Sequence, residues 1–293
     1  MKYRTSAMEK AFNCINIALM MVCIIATLYP LAYVLFASFS VPSQLVRHTG
    51  ILLHPLGFTL AAYKLVLANP FISSGYLNTI FIVVVGSGIN ITLTAMLAYV
   101  LSRKRLLWGP IIMGAVMFTM FFDGGMIPSF LLVKNLGLLD SLFSVILPSA
   151  INTMNLIILR TFFQSIPESL EESARIDGAS DIVILTRIIL PLSRAAIAVI
   201  VLYYAVSHWN SWFSASIYIR KRTLFPLQLI LREILITNSN ESMTVDSQAS
   251  NIAELEVILR YAAIVVSTVP ILLLYPFLQK YFVKGVMIGA VKG

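Results

Sequence analysis

Apolar residues run through this chain in long blocks, separated by short polar or charged turns. The blocks cover roughly residues 12–39, 78–101, 108–133, 141–161, 195–213 and 260–282. A helix needs ~20 apolar residues to cross ~30 Å of hydrocarbon. The pattern therefore predicts an all-α, polytopic membrane protein whose single domain, residues 1–293, holds six spanning helices. The first block is too long for a signal-peptide core and lacks a convincing small-residue cleavage site, which predicts a retained span.

Between the fourth and fifth blocks the pattern changes. Ser165-Ile166-Pro167-Glu168 reads as a capping box, with Pro167 in a first helical turn. Ile166, Leu170 and Ala174 then recur every four residues, leaving Glu168, Glu171, Glu172 and Arg175 elsewhere on the helix. Gly178 predicts a helix stop, because glycine takes the left-handed conformation without a Cβ penalty. Ser180 and Asp181 are placed to cap a second helix that ends before Pro191. Residues 166–190 thus predict a helix–glycine–helix outside the membrane.

Composition agrees with the block pattern. Hydrophobic residues make up 59% and charged residues 12%, too little polar surface to coat a soluble globule. The formal net charge of +8 is scattered between apolar runs, so a membrane protein obeying the positive-inside rule explains it better than a nucleic-acid partner does. With the N-terminus inside, thirteen basic residues, among them Lys2, Arg4, Lys10, Arg103, Lys104, Arg105, Arg160, Arg175, Arg187 and Arg194, fall on the inner side against seven, Arg47, Lys64, Lys134, Arg220, Lys221, Arg222 and Arg232, on the outer. That bias predicts a multi-pass protein of the bacterial cell (inner) membrane with both termini cytoplasmic. Cys14 and Cys23 lie in the first block, where two small buried hydrophobes are expected and a disulfide framework is not.

Several polar groups sit at membrane depth. Asp123, before Gly124-Gly125 and Pro128, is read either as a polar group beside a solute path or as an outer-edge residue reaching water. Asn152 and Asn155 suit a solute path or hydrogen bonds between helices. His208-Trp209-Asn210-Ser211-Trp212 is the densest mix of rings and hydrogen-bonding groups. It suits either stacking on sugar rings or an interfacial aromatic belt. His208 alone makes no metal site, since His48 and His54 lie in a different loop. The basic turn at 103–105 reads as a topological anchor. Residues 40–76 predict an irregular outer connection with a short helix near 59–68, and residues 214–259 a long outer loop that docks a partner. No phosphate-binding loop, His-Glu-x-x-His or Gly-x-Ser-x-Gly is present, so an enzyme is not expected.

Glu172, Ala174, Gly178, Ile188, Leu190 and Pro191 follow the spacing Glu-x-Ala, three residues, Gly, nine residues, Ile-x-Leu-Pro. This resembles the coupling loop of bacterial ABC-importer permeases, with Ser173 where the family commonly has Ala. The ending Lys284-Gly285, then Gly289-Ala290-Val291-Lys292-Gly293, resembles the carbohydrate branch that includes the maltose permease. Ile127-Pro128, Asn135–Asp140 and His208–Trp212 are similar to the lipoprotein-associated permeases of oligosaccharide importers, some of which handle uronate chains such as alginate fragments.

The resemblance implies a type I ABC-importer permease fold and alternating-access import of an oligosaccharide. It implies ATPase coupling at Glu171, Glu172, Ala174, Asp177 and Gly178, and a cytoplasmic tail, 283–293, contacting the ATPase through Gly289, Lys292 and Gly293. The implied partners are a second homologous permease subunit, an ATPase dimer carrying ATP and Mg, an extracytoplasmic solute-binding protein, the oligosaccharide and membrane lipid. No cofactor is expected on this chain. A permease for another solute class and a secondary transporter are the alternatives; the second would need an inverted repeat and intramembrane ion ligands.

Overall fold

The computed structural model describes residues 7–104, 106–241 and 257–273. Among the described residues every regular element is helical. Two compact units divide the chain, one of residues 1–69 with 234–268, the other of residues 70–233 with 269–293.

In the first unit α1, Ala7–Ser38, presents apolar side chains on all sides, as a helix facing hydrocarbon must. Cys14 and Cys23 are free and exposed, so the buried setting expected for them is absent in the chain alone. After α1 come α2, Pro42–Arg47, and α3, Ala61–Ala68. Residues 38–63 are stitched back on themselves. Val41 N–H donates to Leu56 O at 2.9 Å and Thr59 N–H to Phe39 O at 2.9 Å. Ser38 Oγ lies 2.7 Å from Tyr63 Oη, and Phe39 stacks on Phe58 with ring centroids 5.6 Å apart. The connection is therefore ordered by its backbone pairing, a feature that apolar periodicity does not carry.

The second unit is organised on α4, Pro70–Ser102. Its buried face alternates small and polar residues, Gly75, Thr79, Gly86, Ser87, Asn90 and Thr94, which let neighbouring backbones come close. There follow α5, Gly109–Phe121, and α6, Met126–Asn135, bent by 112° at Asp123-Gly124-Gly125. The Gly125 φ of +86° accounts for a break inside what reads as one apolar block. Helices α7, Phe143–Ser149, and α8, Thr153–Gln164, are bent by 53°. Next come α9, Glu168–Ile176, and α10, Asp181–Leu192, whose middle is the π turn Leu185–Ile189. Helix α11, Arg194–Trp209, leaves α10 at 87°. Along α4 lie α11 and α8.

Residues 214–259 are more regular than a loop. They include the end of α12, Trp212–Tyr218, and α13, Leu227–Glu241, because Leu227, Leu229, Ile230 and Leu231 after Pro226 are buried. The last described helix is α14, Val257–Leu273; the second half of the sixth apolar block lies outside the described residues. By length and composition, α1 and α4 are each able to cross a membrane, and the three bent pairs raise the number of candidate spans to as many as five.

Candidate functional site

The most structured polar site is built on α9 and its exit. Ala179 N–H donates to Ala174 O at 2.9 Å, and Gly178 N–H to Arg175 O at 3.0 Å. Gly178 has φ +81°. These two reverse bonds and the left-handed glycine form a Schellman C-cap. Ala174 and Ala179 are both half-buried against a core that includes Leu159, Phe163, Ile184 and Ile189. The smallness of Ala174 thus serves close packing of α9 onto its own chain.

The start of α9 differs from the capping box read in the sequence. Pro167 is the N-cap residue in an extended conformation, and no side chain caps the helix. Ser165 instead ends α8, its hydroxyl donating to Phe162 O at 2.7 Å. Glu168 pairs with Lys104 at 3.3 Å. Ser180 likewise makes no side-chain cap; its carbonyl accepts Ile184 N–H at 2.9 Å.

Charge holds α9 to the C-terminal end of α4. Glu171 is buried, and its carboxylate is ion-paired with Arg103. Arg103 also donates from Nη2 and Nε to Ser102 Oγ, at 2.8 and 3.0 Å, and lies 4.7 Å over the Tyr99 ring. Burial pulls the Arg103 pKa down, while Tyr99 and Glu168 act in the opposite sense. Arg175 pairs with Asp181 across the Gly178 turn, and Tyr99 Oη faces Asp181 at 3.5 Å. The 103–105 turn reads in the sequence as an anchor, and nothing there singles out Arg103 or Tyr99 as a site residue. The signal for the pairing is general: a basic cluster ends one span, and an acidic helix follows another.

The outer surface of the segment stays open. Glu172, Ser173 and Asp177 are exposed. Ile176 is 87% exposed and Ile182 is 74% exposed, on a stretch too charged to lie in hydrocarbon. Beside it a cleft of about 360 Å³ is lined by Met96, Tyr99, Arg103, Arg175, Ile182 and others.

The solute-path candidates do not form one cluster. Asp123 is exposed at the α5–α6 break, where its carboxylate accepts Gly125 N–H at 3.2 Å. Asn152 caps α8 through its side chain, accepting from Asn155 N–H at 3.1 Å, and Asn155 is buried. His208 and Trp209 are both buried. His208 Nε2 is 3.1 Å from Asn90 Nδ2, which also donates to Ser149 O at 3.2 Å. Asn210 is exposed, its amide donating to Val206 O at 2.9 Å. Trp212 is half-buried with the Arg232 guanidinium 3.6 Å above its ring. Asn90 and Tyr204 are polar seam residues that block patterning hid; Tyr204 Oη is 2.7 Å from Thr94 Oγ1 and accepts Asn152 N–H at 2.9 Å. Gly289, Lys292 and Gly293 lie outside the described residues.

No family model matches the sequence. The chain is 45% identical over 264 residues to the polygalacturonan/rhamnogalacturonan transport system permease protein YtcP of Bacillus subtilis, covering 90% of this chain and 92% of that protein. It is 43% identical over 267 residues to protein LplC of the same organism, covering 91% and 90%. A chain in the crystal structure of a bacterial ABC transporter involved in the import of the acidic polysaccharide alginate superimposes with a TM-score of 0.87. That chain is 32% identical, over 95% of this chain and 99% of its own. A helical chain with this charged helix–glycine–helix, and with such identity along nearly its whole length, belongs to the sugar ABC-transporter permeases.

Proposed function

We propose that this permease is the transmembrane subunit of an ATP-driven importer that moves an oligosaccharide into the cytoplasm by alternating access. An extracytoplasmic binding protein delivers the sugar, a second permease subunit completes the path, and a separate ATPase dimer holds ATP and Mg. The chain crosses the inner membrane six times with both termini cytoplasmic. The names of two relatives favour an acidic sugar chain: one is a polygalacturonan/rhamnogalacturonan permease and the other belongs to an alginate importer.

The observation that carries this reading is the 166–190 segment. Its inner face is packed and paired within the chain, while Glu172, Asp177, Ile176 and Ile182 are left on its surface. Exposed apolar side chains among charges, outside the spans, suit a protein partner. In this reading Glu172 faces a basic residue of the ATPase, Glu171 and Ala174 seat α9, Asp177 and Gly178 turn the chain, and the tail residues Gly289, Lys292 and Gly293 reach the ATPase. Asp123, Asn152, Asn155, His208, Trp209, Asn210 and Trp212 line or support the solute path.

The test is co-purification from membranes after expression with the neighbouring reading frames. A second permease and an ATPase pair should come with the chain, and an oligosaccharide-loaded binding protein should stimulate hydrolysis. A chain that purifies alone would overturn the reading. The variant Gly178→Val, whose β-branched side chain disfavours the left-handed turn, should insert normally and lose transport; normal uptake by it would remove the coupling role.

A further inference from the structure

The segment at 166–190 is joined covalently to α8 on one side and α11 on the other, yet its charged contacts lead elsewhere. Arg103, just beyond α4, makes the ion pair with buried Glu171. Its guanidinium is fixed from behind by Ser102 Oγ, by the Tyr99 carbonyl at 3.3 Å from Nε, and by the Tyr99 ring. The neighbouring Lys104 meets Glu168 at 3.3 Å, and the Tyr99 hydroxyl meets Asp181 at 3.5 Å. Three residues at one end of α4 therefore touch both sides of the Gly178 turn. Burial makes the central pair persistent, because a charge left without its partner away from water carries a large penalty. Tyr99 and Leu101 also share the apolar core that holds Ile184, Leu185 and Ile189.

We infer that Arg103 is a positioning residue that, with Tyr99 beside it, locks the C-terminal end of α4 to the coupling segment, Arg103 holding the first helix through Glu171 and Tyr99 meeting the second at Asp181, so that α4 moves with the segment as one body. Because α11 and α8 pack along α4, this gives the segment a third, non-covalent route into the helices, entering at the seam of Asn90 and His208. The inference rests on the coupling reading proposed above. It makes Arg103 more than a positive charge fixing topology: its guanidinium spans Ser102, Tyr99 and Glu171 at once, a fork that the single ammonium of lysine does not reproduce.

The experiment uses the complete complex with its ATPase, with Cys14 and Cys23 replaced by serine. Spin labels are placed at Val100→Cys and at Thr186→Cys, an exposed position of the segment outside the surface assigned to the ATPase, and their distance is measured without nucleotide and with ATP plus vanadate. One narrow peak, unmoved by nucleotide, is expected with Arg103 in place. Arg103→Ala and Glu171→Gln should each lose the single peak, and Arg103→Lys, which keeps the charge without the fork, should broaden it rather than restore it. A stabilising contact with no part in the motion would change the melting temperature and leave the nucleotide response of the distance alone. The inference is overturned if the parent distance itself shifts with ATP, or if Arg103→Ala keeps one unshifted peak. Failure of the coupling reading is distinguishable, since the ATPase would then be missing from the purified complex before any label is read.

Discussion

Gly86 and Gly178 are both required glycines, for opposite reasons. At Gly86, in the seam of α4 and α11, a Cβ would stand 2.6 Å from His208 Nε2. At Gly178 nothing lies within 4 Å, and the constraint is the backbone, with φ +81°. The seam is set by how closely two helices approach. The 166–190 segment is set by a turn and by charge, with open space on its outer side. The seam is closed by packing, whereas the segment keeps one face uncovered in the chain alone.

Gly86→Leu should break the first side of this comparison with the largest effect. Overpacking against His208 puts it at or beyond about 3 kcal/mol, the upper range for forced side chains in a packed interior. The measurement is the amount of folded protein surviving detergent extraction, expected to fall sharply. Gly178→Val should act on the second side more locally. A β-branched residue in the left-handed region costs about 1–2 kcal/mol, whereas Gly178→Asn, whose short polar side chain tolerates that region, should cost less. Hydrogen exchange should rise in residues 168–180 with Val and little with Asn, while exchange in α4 stays at the parental rate.

A smaller effect is expected at the 136–140 loop, where a turn is fixed by a carboxylate. Asp140, at φ +56°, accepts Arg220 N–H at 2.6 Å and Lys221 N–H at 3.1 Å. Those two backbone donors, in that order, hold its pKa below the ordinary value. A group whose folded pKa is depressed stabilises the protein fully above its unfolded pKa, and the contribution is lost as pH falls through the folded value. The parent protein should therefore melt above Asp140→Asn at neutral pH, with the gap closing only below about pH 4. A gap that is constant from neutral to acid pH would show that the carboxylate charge is not what holds the loop.

Much of the helical framework was legible because hydrocarbon demands long apolar blocks, and much of the 166–190 segment because glycine and charge punctuate it. The breaks at Gly125 and between Ser149 and Thr153 were not legible as bends, since an apolar block reads the same whether straight or folded back. The capping box failed for a related reason. Ser165, Pro167 and Glu168 are compatible with a cap, but Ser165 belongs to the end of α8 and Glu168 is placed to meet Lys104. Helix α13 was hidden by the polar residues around it, although burial of Leu227 and Ile230 holds it in place.

The amino-acid sequence by itself determined that this is a helical membrane chain, where its apolar blocks lie, and that a Gly178-centred turn joins two helices outside them. These follow from local rules: a span needs a minimum apolar length, and a left-handed residue favours glycine. Tertiary structure alone decided that Glu171 turns inward to Arg103 while Glu172 stays outside, and that His208 is buried against Gly86 and Asn90. Helical period places Glu171 nearer the apolar stripe than Glu172, but that a carboxylate can be buried there depends on Arg103, a partner sixty-eight residues earlier that no local rule supplies.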